Sequence, residues 1–274
     1  MSVTNLAKRR GEMLDEIMAH HRENLPKVMA SVPFADVRAM AAVAPPPRDF
    51  AAAIRADGVS LIAECKKASP SRGLLIHNYD PVRLARLYEK TGARAISVLT
   101  DARHFQGALD HLRDVREAVA LPVLRKDFMF HPYQLYEARV AGADAVLLIA
   151  AVLSDTELRE LSALARKLGM AALIEVYSEE ELARVLPLNP DLIGVNNRDL
   201  QTFEVDFDNT ARLRTLIPPE IAVVGESGIK SPDDVRAMRV AGVNAVLVGE
   251  ALVRSKDIGG LTKALVAAGV TPFP

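Results

Sequence analysis

The sequence has one cysteine, no surplus of either charge and no long hydrophobic run. Cys65 alone cannot form an internal disulfide, so a reducing compartment, the cytoplasm, is the expected home. With 34 Lys and Arg against 35 Asp and Glu, a formal net charge of −1, no basic stripe is available and no nucleic-acid partner is expected. The longest apolar run, Ala145 to Leu153, is far shorter than the roughly 18–20 residues of a membrane span. The first residues pass from Met1-Ser2-Val3-Thr4-Asn5 to Lys8-Arg9-Arg10-Gly11-Glu12 without an apolar stretch, so no secretory signal is expected. His20, His21, His77, His104, His111 and His131 show no metal-ligand spacing with one another or with Cys65, and no metal is expected. No Gly-rich dinucleotide fingerprint follows a strand.

What is present is a large hydrophobic fraction, 50% of 274 residues, enough for a sizeable core. Residues 1–50 read as helix, break, helix. Leu6, Leu14, Ile17 and Met18 recur near helical spacing, Pro26 and Pro33 read as interruptions, and Pro45-Pro46-Pro47 ends the segment. Too small for a core of its own, this segment is expected to pack as a helical extension on a main unit spanning 51–274. A short helix is expected over Phe50 to Arg55.

From Val59 onward, apolar runs rich in β-branched residues recur at 59–65, 94–99, 121–126, 143–149, 171–176, 191–196, 220–225 and 243–248, with amphipathic stretches between them. Eight strands, each followed by room for a helix, predict an α/β fold: a single (β/α)8 TIM barrel of parallel strands buried on both faces. Val140-Ala141-Gly142-Ala143-Asp144-Ala145-Val146-Leu147 and Val240-Ala241-Gly242-Val243-Asn244-Ala245-Val246-Leu247 nearly repeat each other. Their glycines sit where a helix ends and a strand begins, as a left-handed cap requires.

In such a barrel chemistry is sought at the C-terminal strand ends. Side chains alternate along a strand, so Ile62, Glu64 and Lys66 share the inner face, while Ala63 and Cys65 face the helices. By the same parity Lys126, Glu175, Asn196 and Arg198 point inward, Arg125 points outward, and strands seven and eight end in Glu226-Ser227-Gly228 and Gly249-Glu250. A structural ion pair closing the barrel end is the plain alternative for Glu64 and Lys66. Two lysines and three carboxylates in one mouth exceed that need, because buried charges must pair with one another or with a substrate. A lysine and a carboxylate there suit acid–base catalysis, or the lysine a Schiff base; the residues alone leave both open. Gly228 and Gly249, on the loops after strands seven and eight, lie where this barrel class holds phosphate; ordinary tight turns are the alternative. Phe105 and Phe128 follow strands two and three and would line an aromatic pocket if they are not simply core.

The blocks Ile62 to Gly73 (IAECKKASPSRG), Val123 to Phe128 (VLRKDF), Leu173 to Glu175 (LIE), Gly194 to Asp206 (GVNNRDLQTFEVD) and Val224 to Ile229 (VGESGI) resemble the indole-3-glycerol phosphate synthase family of tryptophan biosynthesis. The likeness spans nearly the whole chain and includes Pro46-Pro47-Arg48-Asp49-Phe50. It implies ring closure of 1-(2-carboxyphenylamino)-1-deoxyribulose 5-phosphate, a small phosphorylated substrate, with loss of CO2 and water and no cofactor. By motif, Lys126 would be the general acid and Lys66 would bridge the phosphate and the reacting end. Glu175 would be the base, assisted by Glu64 and Asn196. Ser69, Arg198 and Ser227 would hold the carboxylate and hydroxyls; Phe105, Phe128 and Leu147 would pack the anthranilate ring; Gly228, Gly249 and Glu250 would offer backbone amides to phosphate. Ala108 stands where the family usually has serine, which puts a loop hydrogen bond in doubt. Rival readings are phosphoribosylanthranilate isomerase and a non-catalytic barrel that binds a phosphorylated ligand. The oligomeric state is not legible in the residues; a monomer is the working expectation.

Overall fold

The eight apolar runs fold as eight strands: β1 (Ser60–Cys65), β2 (Ala95–Leu99), β3 (Val123–Lys126), β4 (Ala145–Ile149), β5 (Ala171–Val176), β6 (Leu192–Asn196), β7 (Ala222–Glu226) and β8 (Ala245–Val248). The computed structural model describes residues 3–270, with side chains from residue 13 onward. Each strand pairs in parallel with the next, and β8 returns to β1 from Ser60–Ala245 to Ala63–Val248, closing a (β/α)8 barrel. Burial on both faces explains why these strands are continuously apolar instead of alternating.

Local chemistry sets the helices between them. Asp80, Ser154, Ser178 and Ser231 each accept a backbone N–H of the first helical turn, and Ser154 and Ser231 do so within reciprocal capping boxes. Gly142 and Gly242 end helices at φ +88 and +78, the left-handed caps that the internal echo predicts. Among the described residues no helix is long and apolar enough to cross a membrane.

The segment before the barrel forms α1 (Val3–Ser31), α2 (Phe34–Val43) and α3 (Phe50–Ile54). Pro26 does not interrupt: α1 runs through it for 29 residues. A mid-helix proline costs about 3 kcal/mol. Burial offsets this: Leu25, immediately before it, packs with Val37 and Tyr133, and Val28 and Met29 lie against the same cluster. Pro33 does mark a break, as the residue preceding α2. Leu14, Ile17 and Met18 are buried as the helical spacing requires, while the side chain of Leu6 lies outside the described residues. Polar ties fasten the segment to the barrel. The Tyr133 hydroxyl donates to Val32 O at 3.0 Å, Arg139 to Ala44 O at 2.9 Å, and the Arg48 backbone N–H to Asp144 at 2.6 Å.

The loop after β1 holds an element that its small, polar composition does not announce. Ala68–Ser69 pairs antiparallel with Gly73–Leu74, a short ladder that folds the loop back over the mouth and buries Ser69.

Candidate active site

The inner face of the barrel ends in charge. Glu64, Glu175 and Glu226 are each no more than 3% exposed, and two ammonium groups meet them. Lys66 Nζ lies 2.7 Å from Glu64 Oε1. Lys126 Nζ is shared between strands, 3.3 Å from Glu175 Oε2 and 3.3 Å from Glu226 Oε2. Asn196 fixes the second oxygen of Glu175: its Nδ2 donates to Oε1 at 3.0 Å, while its own Oδ1 accepts the Arg198 N–H at 2.9 Å. Strand parity thus brings Glu64, Lys66, Lys126, Glu175 and Asn196 together as the alternation predicts. Arg125 turns outward, where it bonds Asp127, Glu137 and the Gln134 carbonyl. Cys65 is likewise buried on the helix side, beside the Pro81 carbonyl.

Burial and pairing tune these groups in opposite senses. Burial alone would lower the Lys126 ammonium, but the carboxylates of Glu175, Glu226 and Glu64 hold it well above the ordinary lysine value. Burial pushes the Glu226 carboxyl up to about 8, against the pull of Lys126 and with the added push of Glu175. The mouth therefore contains an ammonium held in its charged form and a carboxyl poised to keep its proton near neutrality.

Glu226 stands in the sequence as the end of strand seven, among the charges of the mouth, but without a role of its own. Its parity with Val224 would have marked it as inward, and the neighbouring strand carries a second signal. Glycine at position 194 leaves the space that Glu226 fills; a Cβ there would collide with Glu226 Oε1. Gly249 does the same for Glu64.

Two connected chambers open from these charges. A narrow one, about 130 Å³, reaches Ser69, Phe105, Phe128, Leu147, Glu175 and Asn196. Its walls are apolar: the Phe105 and Phe128 rings lie 6.3 Å apart, and Leu147 is 1% exposed. A wide one, about 670 Å³, reaches Gly228, Gly249, Lys230 and Arg254. Glu64, Lys66, Lys126, Arg198, Ser227 and Glu250 line both. Among the described residues, Ser69 Oγ and Glu226 Oε1 are buried without a hydrogen-bond partner. Arg198 donates to the Phe203 carbonyl at 3.0 Å, which pins the loop after β6 over the mouth. Ser227 and Gly228 follow one another at φ +63 and +81, turning the backbone sharply at the rim of the wide chamber. The Glu250 carboxylate is held by Arg254 at 3.1 Å and Arg72 at 3.4 Å. Ala108 precedes the helix Leu109–Ala118 without a side-chain cap, the missing hydrogen bond that alanine implies.

One grouping escaped the histidine spacing: potential ligand atoms of His21, Asp101 and Asp127 lie within 4.8 Å of one another, at a junction of α1 with the barrel.

A family model described as indole-3-glycerol phosphate synthase matches residues 14–265. The chain is 51% identical over 257 residues to the indole-3-glycerol phosphate synthase of Rhodopirellula baltica, covering 93% of this chain and 99% of that one. It is 51% identical over 262 residues to that of Roseiflexus castenholzii, covering 92% and 97%. A 47% match over 258 residues to that of Dehalococcoides mccartyi covers 93% and 100%. Among solved structures, an N-acetylmannosamine-6-phosphate 2-epimerase from Clostridium perfringens superposes with a TM-score of 0.59 at 16% identity, over 77% of this chain and 93% of that one. A thiamine phosphate pyrophosphorylase from Pyrococcus furiosus gives 0.57 at 17%, over 77% and 95%. At such identities these two share the barrel and nothing finer.

Proposed function

The chain belongs to the indole-3-glycerol phosphate synthase family, and on that premise we propose a division of labour among the residues of its mouth. The enzyme is a decarboxylating lyase of tryptophan biosynthesis. It closes the ring of 1-(2-carboxyphenylamino)-1-deoxyribulose 5-phosphate to indole-3-glycerol phosphate, with loss of CO2 and water. The isomerase and binding-barrel alternatives fall away. The observation that carries the assignment is the Lys126 ammonium, shared at 3.3 Å by the buried carboxyl groups of Glu175 and Glu226 where the chambers join.

The wide chamber takes the phosphate, with Lys66 and the backbone at Gly228, Gly249 and Glu250 as its ligands. Glu250 contributes through its amide, since Arg72 and Arg254 occupy its carboxylate. Anchoring the far end orients a flexible sugar chain, worth up to roughly 7–11 kcal/mol in favourable intramolecular cases. The narrow chamber takes the aromatic ring between Phe105, Phe128 and Leu147, with Ser69, Arg198 and Ser227 holding the carboxylate and hydroxyls.

In the first step the ring carbon that bears the carboxylate attacks the sugar carbonyl, and Lys126 delivers a proton to the oxygen. The ring nitrogen becomes a cationic iminium. The bond to the carboxylate then breaks, its electrons restore the aromatic ring, and CO2 leaves. In the last step the new hydroxyl departs as water, protonated by Lys66 or Lys126, and Glu175 removes the proton from the neighbouring carbon. Asn196 keeps Glu175 aimed, and Glu64 holds Lys66 in place. Glu226, pushed up to about 8, supplies a protonatable neighbour for Lys126 as charge moves through the mouth. Starting from the carboxylate anion, each turnover takes up one proton, so a reservoir beside the acid is useful.

Glu175→Gln tests the assignment. With a general base lost, indole fluorescence in the first turnover should fall by ~10²-fold or more while CO2 is still released. Equal loss of both products would show that Glu175 acts through Lys126 instead. The same reading takes residues 1–50 as an extension on a catalytic barrel of 51–274 and the enzyme as a cytoplasmic monomer, the location supported by the lone buried thiol.

A further inference from the structure

Among the described residues of the extension, His21 reaches the groups that hold the walls of the ring chamber. His21, on α1, places Nε2 2.8 Å from Asp101 Oδ2 and 3.8 Å from Asp127 Oδ1. Its ring lies 5.5 Å from that of Phe128. Each carboxylate holds a wall of the chamber. Asp101 Oδ1 accepts the backbone N–H of His104 at 2.6 Å and of Phe105 at 3.0 Å, fixing the short turn that presents Phe105. Asp127 directly follows Lys126, and its Oδ1 accepts the Phe128 N–H at 2.9 Å.

The groups around the junction are few. Asp101 Oδ2 also meets His104 Nδ1 at 3.1 Å. Asp127 Oδ2 is occupied by Thr100 at 2.5 Å and Arg125 at 3.0 Å. His20 lies beside His21 and bonds Arg103, which reaches Glu16. Burial would raise the Asp101 carboxyl, yet hydrogen bonds from His21, His104 and the His104 backbone hold it well below the usual range. A metal ion would have to share Asp127 with the Arg125 guanidinium and displace a bond already made. A donor imidazole fits the site as it stands.

We propose that His21 is a positioning residue of the ring chamber: by hydrogen-bonding Asp101, which holds the Phe105 turn, and laying its ring beside Phe128, it sets the spacing of Phe105 and Phe128, and hence the grip on the aromatic half of the substrate. The inference rests on the reading of the narrow chamber as the ring site and the wide one as the phosphate site. It gives the extension a specific task at the mouth, beyond covering apolar surface.

Steady-state kinetics of the full chain, with anthranilate and inorganic phosphate as separate inhibitors, test it in His21→Ala and His21→Gln. His21→Ala should raise KM and weaken anthranilate inhibition by roughly tenfold each, about one hydrogen bond to a charged group. The change in kcat should stay under about twofold and phosphate inhibition should not move. His21→Gln keeps an N–H donor and should recover much of the loss. Unchanged anthranilate inhibition in His21→Ala overturns the proposal. So does equal weakening of both inhibitors with a lowered melting temperature, which would mean a packing role only. Phe128→Ala separates the two readings. If it leaves anthranilate inhibition intact, the ring-chamber assignment itself falls and takes the proposal with it. If it abolishes that inhibition while His21→Ala does not, only the role of His21 falls.

Discussion

The two chambers of the mouth meet at Lys66 and Lys126 but are made of different materials. The narrow one is side-chain chemistry: the carboxylates of Glu64 and Glu175, each 3% exposed, are paired with Lys66 and, across strands, with Lys126, and set against apolar walls. The wide one takes in the turns at Gly228 and Gly249, with Arg72 and Arg254 more than half exposed at its rim. Burial makes the first intolerant of change, because a charge deprived of its partner there costs several kcal/mol. Solvent makes the second tolerant, because exposed ion pairs are worth about 0–1 kcal/mol. The difference teaches where binding and where chemistry reside.

Breaking the buried charges where the chambers join should have the largest effect. Gly194→Ala drives a methyl group into Glu226 and displaces a carboxylate from Lys126. Activity should fall by ~10²-fold, with a stability loss of about 1–3 kcal/mol from overpacking. Unaltered turnover by product fluorescence would mean that the Glu226 contact is dispensable.

Next comes pH. The Glu226 carboxyl rises from an ordinary 4.5 to about 8 on folding, so the folded state holds its proton more tightly between those values. Its stabilising contribution is whole below 4.5 and is lost as pH rises through about 8. Melting temperatures of the wild type should therefore decline relative to Glu226→Gln across that window. Parallel curves would contradict the shift.

The wide chamber should respond less. Glu250→Gln leaves the backbone amide in place and removes only half-exposed ion pairs, so KM should change less than about threefold. A tenfold change would show that the side chain takes part in binding. Smallest of all, and away from both chambers, Ala108→Ser supplies the absent helix cap. It should add about 1 kcal/mol by denaturant unfolding with kinetics unchanged.

The same contrast governs what the sequence discloses. A barrel strand is buried on both faces and its side chains alternate, so Glu64, Lys126 and Glu175 could be placed inward from parity alone. The family resemblance then supplied roles that parity cannot. Glu226 escaped a role because its significance lies in a vacancy opposite, at Gly194, and a glycine inside a strand has several explanations. Pro26 misled because intrinsic propensity was outweighed by the burial of Leu25 and its neighbours. The bond from His21 to Asp101 joins residues 80 apart on different elements, and no local pattern encodes it.

The most direct measurement is a single-turnover experiment on Lys126→Ala with excess enzyme, following CO2 and indole fluorescence together. If Lys126 protonates the carbonyl as the ring closes, both products should fall by ~10³-fold, and neither should outrun the other. CO2 release at near wild-type rate with only indole delayed would contradict it, and would move the acid of ring closure to Lys66.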